Sequence, residues 1–220
     1  MALIVDIETS GADFSELDSV TQEYLRGVAE KSGEEPEAKT ALFPHTGEIV
    51  SLGVYDSEKN QGAVYFQGKE KDWEGDNIKF RCLEEKDMLL KFWELIKNYS
   101  ELVGFRSRAF DVPFIIARSI KHKIKPDKRL MDGRYLYQQK YVKHIDLHDQ
   151  FSFYGSVYPA GNLHMWCRLF GIKSPKEGEA KGSDVARLFK EKKFKIIAEY
   201  NARDVIATFL LYQKYLDFLA

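Results

Sequence analysis

The run Ala2-Leu-Ile-Val5 ends on Asp6 and, two residues later, Glu8. Consecutive apolar residues with no polar alternation suit a strand buried on both faces, inside a sheet covered on both sides. A strand alternates its side chains, so Asp6 and Glu8 point to one face. Two carboxylates at the end of a buried strand repel each other, and a divalent cation, which takes hard oxygen ligands, answers that repulsion. The triplet alone is cheap, because composition supplies about 1.3 Asp-x-Glu triplets in such a chain by chance. Three occur, at Asp6/Glu8, Asp56/Glu58 and Asp72/Glu74. Only the first follows an uninterrupted apolar run; the other two fall in polar turns and read as solvated.

The stretch from Ser10 to Thr40 differs in character. It is polar, carries Gly11, Gly27, Gly33 and Pro36, and holds one weak helical stretch, Thr21 to Glu30. It reads as a solvated insertion at about 10–40. Strand character returns over Ile49–Tyr55 and Gly62–Gln67, and the turn residues Asp56 to Gly62 between them predict a hairpin. Met88, Leu89, Phe92, Trp93, Leu95 and Ile96 recur at helical spacing, which predicts an amphipathic helix over Glu84–Tyr99. Glu101–Phe105 reads as a short strand. Asp111 then precedes Pro113 and the apolar Phe114–Ile120, a helix start with proline in its first turn. Lys143–Gln150 reads as a last strand. Leu163–Phe170 and Ser183–Lys190 read as short helices, with Ser183 as the N-cap of the second. Phe194–Phe218 reads as a long closing helix with Ile197, Tyr200, Asp204, Thr208 and Leu211 along one stripe. Strands first and helices later mean a mixed α/β architecture.

The chain has 220 residues, the length of one domain. Its residues are 44% apolar and 14% aromatic, which excludes a disordered chain. Two cysteines, Cys82 and Cys167, cannot staple it and read as free buried thiols. The charge balance is −1, so no positive halo marks a binder that works by neutralising phosphate. No apolar run is long enough to span a membrane, and Ala2–Val5 is too short for a signal segment. A cytoplasmic location and no membrane partner are expected.

Further acids stand out by context. Asp111 is either an ordinary N-cap or part of a site. Tyr200 and Asp204, at i and i+4, share a helix face that is otherwise apolar. Burying Asp204 there is costly unless it is paired or metal-bound, and a partly exposed Asp204 beside a core Tyr200 is the alternative. His144, Asp146 and His148 alternate with Ile145 and Leu147, so they read as the outer, solvated face of a strand and not as a zinc site. Phe105 and Phe110 read as core, with the option that one stacks on a base. The basic runs Lys121–Lys123 and Lys190–Lys193 read as solvated faces.

Taken in order, strand-Asp-x-Glu, Phe-Asp at a helix start and Tyr-x-x-x-Asp on the closing helix resemble the DEDD exonuclease superfamily in its tyrosine variant. The closer resemblance is to the predicted 3′–5′ exonucleases related to the proofreading domain of family B DNA polymerases. It is carried by LIVDIETS (3–10), ALFPHTGEIVSLGVYD (41–56), LVGFRSRAFDVPFI (102–115), HIDLHDQFSFYG (144–155), LFGIKSPKEGEAKGSDV (169–185) and IAEYNARDVIATFLLY (197–212). The resemblance implies a ribonuclease-H-like mixed sheet flanked by helices, α/β in class, in one exonuclease domain over 1–220. It implies Asp6, Glu8, Asp111 and Asp204 as ligands of two Mg²⁺ or Mn²⁺ ions, and Tyr200 as the residue that orients water. The substrate implied is a single-stranded nucleic-acid 3′ end, DNA ahead of RNA, releasing nucleoside 5′-monophosphates, with Thr9, Ser10 and Phe110 beside the terminal nucleotide. An exoribonuclease and an inactive nucleic-acid-binding module are the alternatives. One position departs from the family: where the second motif usually has asparagine, this chain has Arg106. Arg106 either grips a phosphate or pairs with an acid such as Glu101 or one in the insertion.

Overall fold

The computed structural model describes residues 1–175 and 181–220, so positions 176–180 of the matched segment 169–185 lie outside the described residues. The centre of the fold is β1 (Ala2–Gly11). Its side chains divide between two cores. Ala2 and Ile4 face one cluster, while Leu3, Val5 and Ile7 face another, all buried. This division is why an unbroken apolar run was needed here: both faces are out of water. Each fully buried aliphatic side chain of this size contributes roughly 1.5–3 kcal/mol.

After β1 the 10–40 stretch folds over the strand's end. A 3₁₀ turn at Phe14–Glu16 leads to α1 (Ser19–Ser32), then α2 (Pro36–Lys39) and a 3₁₀ turn at Thr40–Leu42. Asp18 starts α1 by accepting the N–H groups of Val20 and Thr21, and Gly33, at φ 66°, ends it in the left-handed conformation that suits glycine. Only Leu25 and Ala29 of α1 are buried. Ser10, however, belongs to β1. At Gly11 a Cβ would lie 1.9 Å from Thr40 Oγ1, so only glycine lets the returning chain close on the strand.

The chain continues as β2 (Gly47–Asp56), β3 (Gln61–Phe66), β4 (Trp73–Gly75), β5 (Ile78–Cys82), α3 (Glu85–Ile96), β6 (Glu101–Gly104) and α4 (Asp111–Lys121). It ends with β7 (Lys143–Asp146), α5 (Leu147–Phe151), α6 (Leu163–Leu169), α7 (Val185–Lys190) and α8 (Phe194–Phe218). The sheet order is β4-β5-β3-β2-β1-β6-β7. β1, β2 and β3 are antiparallel neighbours, as the hairpin reading required, and β6 and β7 add in parallel to β1. Helices α5, α6 and α8 cover one face with the aromatic core of Phe66, Phe151 and Phe209; α3 and α4 cover the other with Phe92, Trp93 and Phe114. No helix among the described residues is long and apolar enough to cross a membrane.

Several local expectations are corrected. β4 and β5 are additional strands. The last strand stops at Asp146, whose carboxylate caps α5 by accepting the His148 N–H. His144 and Asp146 are buried, because the chain before β7 folds back over them: Gln139 bonds both the N–H and the carbonyl of His144. Ser183 lies in an exposed 3₁₀ turn, and α7 begins two residues later. Asp56 is buried and accepts Tyr99 Oη at 2.7 Å, holding the β2–β3 turn, whereas Asp72 and Glu74 are exposed. Cys82 is half-buried; Cys167 is buried.

Candidate active site

Asp6 and Glu8 continue the face of β1 that carries Ala2 and Ile4, and that face looks at α8. Asp204 meets them from α8. Ligand oxygens of Asp6, Glu8 and Asp204 all lie within 4.8 Å of one another. Glu8 and Asp204 are buried and Asp6 is half-buried. Burial holds the Asp6 and Glu8 carboxyls well above the usual carboxylate range, and the charges of Asp204 and Asp111 push them further. The register of β1 against β2 slips between Glu8 and Thr9, a bulge at the edge of the cluster.

Of the two readings of Asp111, the ordinary N-cap does not hold: Phe110 is the N-cap. Asp111 is the first residue of α4, and its Oδ1 accepts the N–H of Ile7 at 2.9 Å, 104 residues away. This bond joins α4 to the strand between the two acids of β1. Burial lifts the Asp111 carboxyl to about 7, against the pull of the Ile7 N–H, with Asp146 and Asp204 adding to the rise. Asp111 therefore stands beside the trio and feels its charge, with its second oxygen free of Ile7.

Tyr200 precedes Asp204 by one helical turn, and its hydroxyl bonds the Asp204 carboxylate. Burial, then the charges of Asp204, Glu8 and Asp6, push the phenol above its ordinary value, so it stays protonated. Its ring packs with Val50, Val185, Leu188 and Ile197.

Sequence reasoning missed Asn201. Its Nδ2 donates to Asp6 Oδ2 at 2.6 Å, and its Oδ1 accepts from Ser51 Oγ at 2.9 Å. The Ser51 hydroxyl thus sets which way the amide faces. Gly53 lies opposite Asp6 in the ladder, and a Cβ there would come 2.8 Å from Asn201 Oδ1. A wholly buried asparagine on an apolar helix stripe, next to Tyr200, was the available signal.

The turn after β6 forms the opposite wall. Asp146 accepts the N–H groups of Arg106 at 2.8 Å and Arg108 at 3.0 Å. Ser107 is buried and bonds His144 Nε2 at 2.8 Å, while His144 Nδ1 lies 3.0 Å from the Leu130 carbonyl. Burial, helped by Arg108, pushes His144 down to about 3, so the neutral ring donates from Nδ1 to Leu130 and accepts the Ser107 hydroxyl at Nε2. So pinned, the turn places Arg106 at φ 60°, a backbone conformation unusual for a side chain of its size, with the guanidinium exposed. Among the described residues no carboxylate pairs with it; Glu101 instead accepts from Tyr212 Oη at 2.6 Å.

An open cleft of about 910 Å³ joins Asp6 and Asp111 to the Arg106 turn, lined also by Ile7, Phe105 and Phe110; Glu8, Tyr200 and Asp204 do not line it. Phe110 packs on Phe114 and lines the cleft; Phe105 packs on His148. Thr9 and Ser10 do not line it. Both are buried in the ladder, and the Thr9 hydroxyl donates to the Ala41 carbonyl at 2.8 Å.

Comparison with known proteins places this geometry. A search of curated proteins finds no match. Among solved structures the chain is similar to a family B DNA polymerase from the hyperthermophilic archaeon Pyrobaculum calidifontis, with a TM-score of 0.64 and 18% identity. The likeness covers 99% of this chain but 25% of the polymerase, so it is a likeness of fold: the ribonuclease-H-like sheet of a polymerase exonuclease domain. Residues 61–219 match a family model described as a predicted 3′–5′ exonuclease related to the exonuclease domain of PolB. That span includes Asp111, Tyr200 and Asp204, and the fold brings the last of these to Asp6 and Glu8 outside it. With most of its length matched, the chain belongs to the family of predicted 3′–5′ exonucleases related to the exonuclease domain of PolB.

Proposed function

We propose that the protein is a metal-dependent 3′–5′ exonuclease that frees nucleoside 5′-monophosphates from single-stranded 3′ ends, DNA ahead of RNA. The observation that carries this is the convergence of Asp6, Glu8 and Asp204 within 4.8 Å. Three crowded carboxylates, of which Asp6 and Glu8 are raised by burial and by the neighbouring charges, form a donor set of hard oxygens with no thiolate or imidazole. That chemistry fits Mg²⁺ or Mn²⁺. Asp6, Glu8 and Asp204 would hold one ion, and Asp6 together with the free oxygen of Asp111 a second. Such a pair stabilises the charge on the attacking and leaving oxygens of an in-line displacement.

The chain's own residues supply the rest. Asn201 fixes one oxygen of Asp6 and leaves the other to the cluster. Tyr200, neutral and bonded to Asp204, orients the attacking water by hydrogen bond. Phe110 offers its ring to the terminal base, and Arg106 a charged fork to a backbone phosphate. The test is a digestion of 3′-labelled single-stranded DNA, duplex DNA and RNA with Mg²⁺ or Mn²⁺, in which wild type shortens single-stranded DNA fastest and Asp204→Asn shortens nothing. Equal activity of Asp204→Asn would remove the site.

Tyr200→Phe keeps the ring and deletes the hydroxyl. Turnover should fall about 10- to 100-fold, the lower reach of what a positioned proton-handling group contributes. Titration calorimetry with Mn²⁺ should show unchanged affinity; a loss of metal binding would make Tyr200 a structural residue instead. For Arg106→Asn, the Michaelis constant for single-stranded DNA should rise. Its log–log salt slope should flatten by roughly 0.7, one single-strand phosphate. An unchanged slope together with a lower melting temperature would assign Arg106 to the fold.

A further inference from the structure

The cleft does not end at Arg106. Its far side is lined by Arg134 and Asp149, which form a bidentate pair with Arg134 Nε 3.0 Å from Asp149 Oδ2. From Arg134 a row of aromatic rings runs outward. The Arg134 guanidinium lies over the Tyr154 ring, 5.9 Å from its centroid. Tyr154 meets Tyr135 at 4.7 Å between centroids, and Tyr135 stacks on Tyr137 at 5.8 Å with the planes 11° apart. Tyr135 is 41% exposed and Tyr137 82% exposed, so the outer ring belongs to no core.

The backbone is held in an unfavourable form to keep this row in place. Phe153, Tyr154 and Gly155 stand consecutively at φ 50°, 56° and 99°. Two aromatic residues in the left-handed region carry a conformational cost that the surrounding structure must offset, and such outliers gather at ligand sites. The Tyr154 hydroxyl accepts from Gln150 Nε2 at 3.0 Å, which steadies the inner ring. Charge bears on the occupant too. With a net charge of −1 the protein has no broad positive field for a polyanion, so contacts to the bases would add to what Arg106 holds by charge. Exposed aromatic faces make such contacts without regard to sequence, since every base has a π-face.

We infer that Tyr135, Tyr137 and Tyr154, together with Arg134, form a stacking platform for the unpaired nucleotides that precede the 3′-terminal one. The inference rests on the exonuclease reading of the cleft and adds the path by which the strand reaches it. Arg134 sits at the junction, where the charged cleft gives way to rings. The platform predicts affinity that grows with strand length and depends weakly on salt.

The test compares wild type with Tyr137→Ala and with the Tyr135→Ala/Tyr137→Ala double variant. Binding of fluorescent oligothymidylates of two, four and eight nucleotides is followed by anisotropy, with Ca²⁺ replacing Mn²⁺ so that nothing is cleaved. Hydrolysis of the same oligomers with Mn²⁺ is measured in parallel. Wild type should bind the eight-mer far more tightly than the two-mer. Each lost ring should weaken eight-mer binding about 5- to 10-fold, with a matching rise in the Michaelis constant. The two-mer should respond much less, and thermal melting should confirm that the variants fold. Identical length dependence in wild type and both variants would overturn the platform, as would an eight-mer bound no better than a two-mer by wild type. If wild type binds with the expected length dependence and the variants weaken it, but no oligomer is shortened, the platform stands and the exonuclease reading falls.

Discussion

Asp6→Ala should abolish nucleotide release while leaving the metal-free protein as stable as wild type or more so, with a melting temperature raised by about 1–4 °C. Asp6 lies within ligand distance of Glu8 and Asp204, and it takes Asn201's amide. Without a cation its charge is a burden, because burial and then Asp204, Asp111 and Glu8 all disfavour it. Deleting it relieves the neighbours. The linkage has a definite sign. An acid whose pKa is higher folded than unfolded keeps a proton that the unfolded chain has already released, so stability falls as pH rises between the two values. For Asp111, lifted to about 7, that window runs from an ordinary aspartate near pH 4 up to about 7, and Asp6 and Glu8 are shifted in the same direction. In EDTA, wild type should therefore melt at lower temperature as pH climbs from about 4 to 7 on account of these acids, and Asp6→Ala should show a shallower decline. Saturating Mn²⁺ should raise the melting temperature of wild type at pH 7.5 and barely move the variant. Near wild-type turnover in Asp6→Ala, or a metal-free melting temperature several degrees lower, would refute this account.

Glu85→Ala should be the most destabilising single change on the far face of the sheet, by about 3–5 kcal/mol. Glu85 is buried, and its two oxygens accept from the Ile49 N–H at 2.8 Å, from Arg118 Nε and Nη2 at 2.7 Å each, and lie 2.6 Å from His122 Nε2. Arg118 also reaches the Pro44 carbonyl at 3.2 Å. One carboxylate so ties α3, α4 and β2 together, behind the helix that carries Asp111. Removing it leaves a guanidinium that is only 4% exposed without its counter-charge. Burial alone would raise the Glu85 carboxyl, but Arg118, the Ile49 N–H and His122 together hold it below the usual range. A depressed acid stabilises above its unfolded pKa, near 4.3, and that contribution is lost as pH falls through the folded value. Urea unfolding should thus show a large deficit for Glu85→Ala at pH 7 that narrows below about pH 4. The double change Glu85→Leu/Arg118→Met should recover much of the loss, since it removes both buried charges together. A deficit under about 1 kcal/mol at pH 7 would show that the network is not what holds the two helices.

Much of the architecture is local and was legible in the residues. The unbroken Ala2–Val5 run named the central strand, because only a strand covered on both faces can use it. The stripe from Ile197 to Leu211 named α8 with the ends the structure shows, because a long amphipathic pattern leaves few other choices. The spacing of Met88, Leu89, Phe92 and Trp93 named α3 as well, though the helix ends at Ile96, short of the expected Tyr99. The strands β4 and β5 were not legible. β4 is three residues long, too few for any period to show, and it is a strand through its antiparallel pairing with β5, which itself pairs with β3.

The site divides along the same line. That Asp6 and Glu8 share a face follows from the pleat of one strand, and that Tyr200 and Asp204 share one follows from one helical turn. That these two faces meet is a contact across 192 residues or more of chain, and only the packing of α8 on β1 makes it. Asp111 shows the limit most plainly: its place in the sequence is that of a helix cap, yet its carboxylate holds a strand N–H 104 residues away. Likewise His144 and Asp146 alternate as a solvated face would, but the chain from Leu130 to Gln139 folds over them, and burial turns them into struts for the Arg106 turn. Asn201 became visible only with Gly53 opposite, where a missing Cβ leaves room for its amide. Periodicity reports which residues leave water together along one element. Which buried polar group answers which is decided by what the tertiary fold brings within about 3 Å, because hydrogen bonds to carboxylates act only at that range.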